Sequence, residues 1–85
     1  MVSLAMTVVV YTQPGCGPCY AEKAWLAEEG IAFEERDIRQ NRDWLGELGR
    51  LGARGTPTTV VSGEDGRERV VVGFDQRRLR QLLRV

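Results

Sequence analysis

The spacing of apolar and polar positions changes several times along the chain, and each change marks an element. Thr7-Val8-Val9-Val10-Tyr11 is an unbroken β-branched and aromatic run. It predicts a strand buried on both faces, the central strand of a sheet. Gln13-Pro14-Gly15 breaks this regularity. From about Pro18 to Glu29 the residues are good helix formers, with proline tolerated in the first turn and Gly30 supplying a stop. Ile31 to Ile38 alternates imperfectly and predicts a second, less buried strand.

Asn41 or Asp43 can cap a second helix, in which Trp44, Leu45, Leu48 and Leu51 form an amphipathic stripe. Gly46, Gly49 and Gly52 weaken it, each internal glycine costing up to about 1 kcal/mol relative to alanine, so this helix depends on tertiary packing. Thr58 to Ser62 and Arg67 to Val72 are strand-like and joined by Gly63-Glu64-Asp65-Gly66, which predicts an antiparallel hairpin. Asp75 is a natural N-cap for a last helix that turns Leu79, Leu82 and Leu83 inward and Arg77, Arg78, Arg80 and Arg84 to solvent. The order βαβαββα gives an α/β fold, a four-stranded mixed sheet flanked by three helices and built on a right-handed βαβ unit. The first helix then starts at the carboxyl end of the first strand, where open α/β sheets place their active sites.

Composition narrows the chemistry. A length of 85 residues predicts a single domain over 1–85, with residues 1–6 a short N-terminal extension. Twelve basic and twelve acidic residues give a formal net charge of zero, which favours neither nucleic acid nor an anionic membrane as partner. No apolar stretch approaches the roughly 20 residues of a membrane span, and Met1 to Met6 lacks the pattern of a secretory signal. The expectation is a cytoplasmic monomer. Histidine is absent, which excludes a Cys-His nucleophile pair, a histidine base and a mixed Cys/His zinc site within the chain. Two thiolates with at most Glu22 beside them do not complete a four-ligand cage, so no metal site is expected in a monomer.

Cys16-Gly17-Pro18-Cys19 holds both cysteines of the chain. At a strand-to-helix junction the first sulfur lies beside unpaired backbone N–H groups, which favour the thiolate, the nucleophile of disulfide exchange. Cys19, one turn on, can attack a mixed disulfide formed on Cys16 and release the substrate. The reducing cytosol makes a cycling pair a better reading than a permanent staple. Buried, inert thiols are the alternative. Tyr11 and Tyr20 suit either core packing or lining of the site, and Trp25 and Trp44 suit packing better than a substrate platform. Arg54 can hold a substrate carboxylate or serve as an ordinary loop arginine. Lys23, the only lysine, would favour the thiolate further if its ammonium approached Cys16. The arginines of the last helix read as a solvated face, with docking to an acidic partner as the alternative.

Three separated segments, Tyr11-Thr12-Gln13-Pro14-Gly15-Cys16-Gly17-Pro18-Cys19, Gly55-Thr56-Pro57-Thr58 and Gly73-Phe74-Asp75, resemble the signatures of the glutaredoxin family, in particular its small glutaredoxin-like redoxins. The resemblance runs from Thr7 onward and implies a thioredoxin-like fold. It implies Cys16 as nucleophile and Cys19 as resolving thiol, with Tyr11, Gln13, Gly17, Pro18, Thr56, Pro57, Gly73, Phe74 and Asp75 around the substrate. Pro57 would follow a cis bond opposite the cysteines and leave the Thr56 backbone free to pair with an extended thiol substrate. Gly73, Phe74 and Asp75 would meet one end of a bound peptide or glutathione, the Asp75 N–H being placed to bind a carboxylate.

This chain also departs from the family. Many glutaredoxins carry lysine at Gln13, an aromatic residue within Gly17-Pro18, and Gly-Gly at Gly73-Phe74. These differences shift the expectation from glutathione toward redoxins that take electrons from thioredoxin reductase and pass them to ribonucleotide reductase or other disulfide proteins. No tightly bound cofactor is implied beyond the Cys16–Cys19 disulfide. A glutathione-dependent glutaredoxin is one alternative. A dimer holding an iron-sulfur cluster through glutathione and Cys16 of each subunit is another, which the motif proline would hinder, and a redox-inert interaction domain is the third.

Overall fold

A computed structural model describes residues 6–85; residues 1–5, most of the expected N-terminal extension, lie outside the described residues. Met6 packs against the core. The elements follow the order β1 (Thr7–Thr12), α1 (Gly17–Glu28), β2 (Glu34–Asp37), α2 (Arg42–Arg50), β3 (Thr58–Ser62), β4 (Glu68–Val72) and α3 (Gln76–Leu83). They form the thioredoxin-like α/β fold, with a mixed sheet of strand order β2-β1-β3-β4. β1 is central: it pairs parallel with β2, Val10 opposite Glu35, and antiparallel with β3, Val10 opposite Thr59. β3 and β4 form the antiparallel hairpin, with Val60 opposite Val70.

The unbroken apolar run of β1 is explained by two cores, because successive side chains of a strand point to opposite faces. On one face Val8 and Val10 join Val61, Val71, Trp25 and Leu26 of α1, and Leu79 of α3. On the other, Val9, Tyr11 and Val60 join Leu48 of α2 and Ala53. Thus α1 and α3 cover one face and α2 the other. The Tyr11 hydroxyl donates to Glu47 Oε1 at 2.8 Å, and Arg36 reaches the same oxygen at 2.5 Å while its Nε bonds Glu34 Oε2 at 2.7 Å. This polar knot pins β2 to α2 at the edge of the second core.

Element ends depart from the sequence expectations for local reasons. The second strand occupies Glu34–Asp37, not Ile31 to Ile38. Its first residues are consumed in stopping α1, where the Ile31 N–H donates to the Leu26 carbonyl at 2.9 Å and the Gly30 N–H to Ala27 at 3.1 Å. Gly30 sits at φ +73°, the left-handed conformation this C-terminal motif requires. What remains of β2 is four consecutive charged residues on the sheet edge. Asn41, not Asp43, caps α2, accepting from the Asp43 N–H at 2.8 Å. Gly52 is not internal to α2 but ends it, in the same way that Gly30 ends α1. The expected stripe is narrower than the sequence suggests: Leu48 is buried, Trp44 and Leu51 are half-buried, and Leu45 is 52% exposed.

Two expectations follow. In chemical denaturation Leu26→Ala, which empties a fully buried position, lowers stability by about 2–5 kcal/mol, whereas Leu45→Ala stays within about 0.5 kcal/mol of wild type. The Tyr11 hydrogen bond and the Arg36 guanidinium hold the Glu47 carboxyl below its ordinary value of 4.5. The folded chain therefore binds this proton less readily than the unfolded chain, and the stabilisation it gives is present above pH 4.5 and lost as pH falls through the folded value. Glu47→Gln flattens that part of the acid unfolding curve, measured as denaturation midpoint against pH.

Candidate functional site

The carboxyl end of β1 delivers the chain through Gln13, Pro14 and Gly15 to the start of α1. Cys16 is the N-cap, in extended conformation, with Pro18 in the first turn. Its Sγ accepts the Cys19 N–H at 3.1 Å, which uses one of the unpaired donors of the helix start. Cys16 and Cys19 are joined in a disulfide. The two sulfurs differ in access: Cys16 is partly exposed, Cys19 is 1% exposed, and Gly17 and Pro18 between them lie at the surface.

The second signature lies against the first. The Thr56–Pro57 bond is cis, and the Thr56 carbonyl oxygen is 3.6 Å from Cys16 Sγ. Gln13 Nε2 donates to Thr56 Oγ1 at 3.0 Å, tying the two loops together. Thr58 fixes the far side of this loop by donating its hydroxyl to the Gly55 carbonyl at 2.8 Å. Among the described residues, no backbone-to-backbone bond engages the Thr56 N–H or carbonyl. The third signature is joined to the second by a 2.7 Å bond from the Gly73 N–H to the Pro57 carbonyl, with Gly73 at φ +81°. Phe74 packs its ring on Trp25 of α1, 5.9 Å between centroids. Asp75 caps α3, its Oδ1 accepting the Arg78 N–H at 3.0 Å.

Two expected site residues take other places, and Lys23 does not make the contact weighed for it. The Asp75 N–H is not open to a ligand carboxylate, because it donates to the Gly73 carbonyl at 3.0 Å within its own turn. Tyr11 is 4% exposed in the core under α2, with its hydroxyl engaged by Glu47 and Arg36, so it packs rather than lines the site. The Lys23 ammonium does not turn to Cys16: it pairs with Glu35 at 2.9 Å and lies over the Tyr20 ring. Tyr20 is 56% exposed beside the cysteines, and Arg54 is exposed on the loop before Gly55. Trp25 is core, and Trp44 of α2 is half-buried against the second core, as packing predicts.

One residue of the site region was not anticipated as buried. Glu22 lies one turn after Cys19 on α1 and has no exposed surface. The Thr59 hydroxyl of β3 donates to its Oε2, while Oε1 has no hydrogen-bond partner among the described residues. Burial pushes the Glu22 carboxyl above its ordinary value, and the Thr59 bond only partly opposes the shift. The signal was present in the spacing, since 19, 22, 25 and 26 form one helical stripe and its other members are buried.

Comparison with known proteins agrees with this architecture. The glutaredoxin family profile matches residues 8–65. Global transcriptional regulator Spx 1 of Oceanobacillus iheyensis is 31% identical over 78 residues, covering 88% of this chain but 60% of the relative. The chain therefore spans about 60% of the length of the Spx proteins it matches first. Glutaredoxin-like protein NrdH of Lactococcus lactis is 33% identical over 58 residues, or 68% of this chain and 78% of the relative. Among solved structures, the thioredoxin-like protein BC3987 superposes with a TM-score of 0.76 at 36% identity, covering 89% of this chain and 99% of that one. A profile match that begins in β1, passes through the cysteine motif and the cis-proline loop, and reaches the hairpin turn makes this chain a member of the glutaredoxin family.

Proposed function

We propose that this chain is a thiol-disulfide oxidoreductase acting mainly as a reductase of protein disulfides. The observation that carries this reading is the unequal setting of the two sulfurs. Cys16 is accessible and accepts a backbone N–H at a helix start, whereas Cys19 is buried one turn behind it. In the reduced chain the N–H groups of α1 favour the Cys16 thiolate. That thiolate attacks one sulfur of a substrate disulfide, the substrate S–S bond breaks, and its electron pair leaves on the other substrate sulfur. Cys19 then attacks Cys16 Sγ, releasing the second substrate thiol and forming the Cys16–Cys19 disulfide. Two electrons have passed to the substrate, and a reductase returns two to the chain. The open Thr56 backbone beside Cys16 supports binding of an extended peptide around the substrate disulfide.

For electron donor and acceptor, we favour thioredoxin reductase and ribonucleotide reductase or other disulfide proteins. The similarity to a NrdH protein supports this, as do three residues at positions where glutathione-using relatives differ: Gln13, Pro18 and Phe74. Gln13 is engaged by Thr56 and Phe74 by Trp25, and the Asp75 N–H is occupied. Each of these bears against a glutathione site of the usual kind. The compartment in this reading is the cytoplasm, where such reductases operate and isolated thiol pairs cycle. No helix among the described residues is long and apolar enough to cross a membrane.

Cys16→Ser abolishes disulfide reduction in a turbidity assay with insulin. Cys19→Ser instead accumulates a mixed disulfide with protein substrates, visible on non-reducing gels, and rapid turnover of those substrates by this variant would refute the resolving role. Oxidised protein is turned over by NADPH with thioredoxin reductase and far more slowly by NADPH with glutathione and glutathione reductase. Turnover in the glutathione system alone would reverse the assignment of the donor.

A further inference from the structure

Glu22 has no part in the exchange described above, yet a wholly buried carboxyl with one unpartnered oxygen is costly to keep on a redox helix. Its placement suggests a use. Residues three apart on a helix lie on the same face, with Cβ atoms about 5–6 Å apart, and helical side chains lean toward the N-terminus. Glu22 therefore shares the buried face of α1 with Cys19, the other buried polarisable group at that end of the helix. We propose that Glu22 is the proton acceptor and donor for the Cys19 thiol during resolution, a role that rests on Cys19 being the resolving cysteine.

The step balances simply. In the mixed disulfide, Cys19 is a thiol and Glu22 a carboxylate. The proton passes from Cys19 Sγ to Glu22, the Cys19 sulfur attacks Cys16 Sγ, the bond from Cys16 to the substrate sulfur breaks, and the substrate leaves as thiolate. Cys19 and Cys16 end as a disulfide, the substrate sulfur is reduced, and Glu22 holds the proton. When a reductase reopens the disulfide, Glu22 returns that proton to Cys19. Burial suits both halves, because a carboxyl held above its ordinary range is a better base when charged and carries its proton at a less acidic pH when neutral.

Few other groups face Glu22. Thr59 of β3 donates to Oε2. From β1, the Thr12 hydroxyl turns to Glu35 of β2, and Lys23 of α1 pairs with that same Glu35 toward the surface. α3 brings Leu79 to this core, and its Arg80 pairs with Glu29 near the far end of α1. Burial and the Thr59 bond are the causes that set the Glu22 carboxyl. Thr59 thus acts through Glu22 as a positioning residue.

Stopped-flow reaction of the reduced chain with one equivalent of the aromatic disulfide DTNB separates the two thiols. The first release of coloured thiolate reports attack by Cys16, and the second reports resolution by Cys19. Glu22→Gln slows the second release at pH 7 by about 100-fold relative to the first, and its rate then climbs with pH toward the ordinary thiol value of about 8.5. Glu22→Asp recovers part of the rate and the acid limb of the wild-type profile. Thr59→Val, which removes the bond that lowers the Glu22 carboxyl, moves that acid limb to higher pH, and it carries the test if Glu22→Gln does not fold. A second release with unchanged rate and pH profile in Glu22→Gln, or an unmoved limb in Thr59→Val, overturns the role of Glu22. Absence of the first release in wild type would instead overturn the exchange reading itself.

Discussion

Val8, Val9, Val10 and Tyr11 leave water only if both faces of β1 are covered at once, because neighbouring side chains of a strand point opposite ways. The rest of the architecture follows from that constraint. α1 and α3 cover the face carrying Val8 and Val10, while α2 covers the face carrying Val9 and Tyr11. β2 and β3 satisfy the two backbone edges of the strand. With β1 fixed on four sides, its carboxyl end is a stationary point, and three residues suffice to carry the chain from there to Cys16. The site therefore stands on the most fully covered strand of the sheet.

Much of this is legible in the residues. A run of β-branched side chains identifies β1, Asp75 identifies the start of α3, and Gly63 and Gly66 bracket the hairpin turn. What is not legible depends on partners distant in the chain. Ile31 looks like the start of a strand by its neighbours, but its N–H is needed to close α1. Leu45 looks like part of a buried stripe, but α2 presents Leu48, not Leu45, to the sheet. Tyr11 looks equally suited to core and site until Glu47 and Arg36, both remote in sequence, converge on its hydroxyl. The Asp75 N–H looks free until the turn at Gly73 takes it. Local pattern fixes which residues are apolar and where turns fall, while which polar atom meets which is decided by tertiary geometry.

The three signature segments are held together by polar contacts rather than by a shared apolar core. Gln13 to Thr56 and Gly73 to Pro57 link the three loops, and the Cys16 sulfur lies beside the Thr56 carbonyl between them. Gln13 is instructive, since the same side chain that departs from the family pattern serves here as a brace between the cysteine loop and the cis-proline loop. Beneath these loops, Glu22 and Thr59 place an acid-hydroxyl pair where the apolar stripe of α1 would otherwise continue. Polar braces lie above, and a buried carboxyl lies below.

The charged row Glu34-Glu35-Arg36-Asp37 bears on how this small sheet stays discrete. An edge strand exposes a ladder of unpaired backbone groups that can recruit a strand from another molecule. In β2 that ladder is brief and flanked on both faces by ionic side chains, two of which, Glu35 and Arg36, are already committed to Lys23, Thr12 and Glu47. A foreign strand added there would have to bury or displace these charges. A sheet margin that repels extended backbone leaves the Thr56 loop beside Cys16, not the edge of β2, as the place where unpaired backbone is open to another chain.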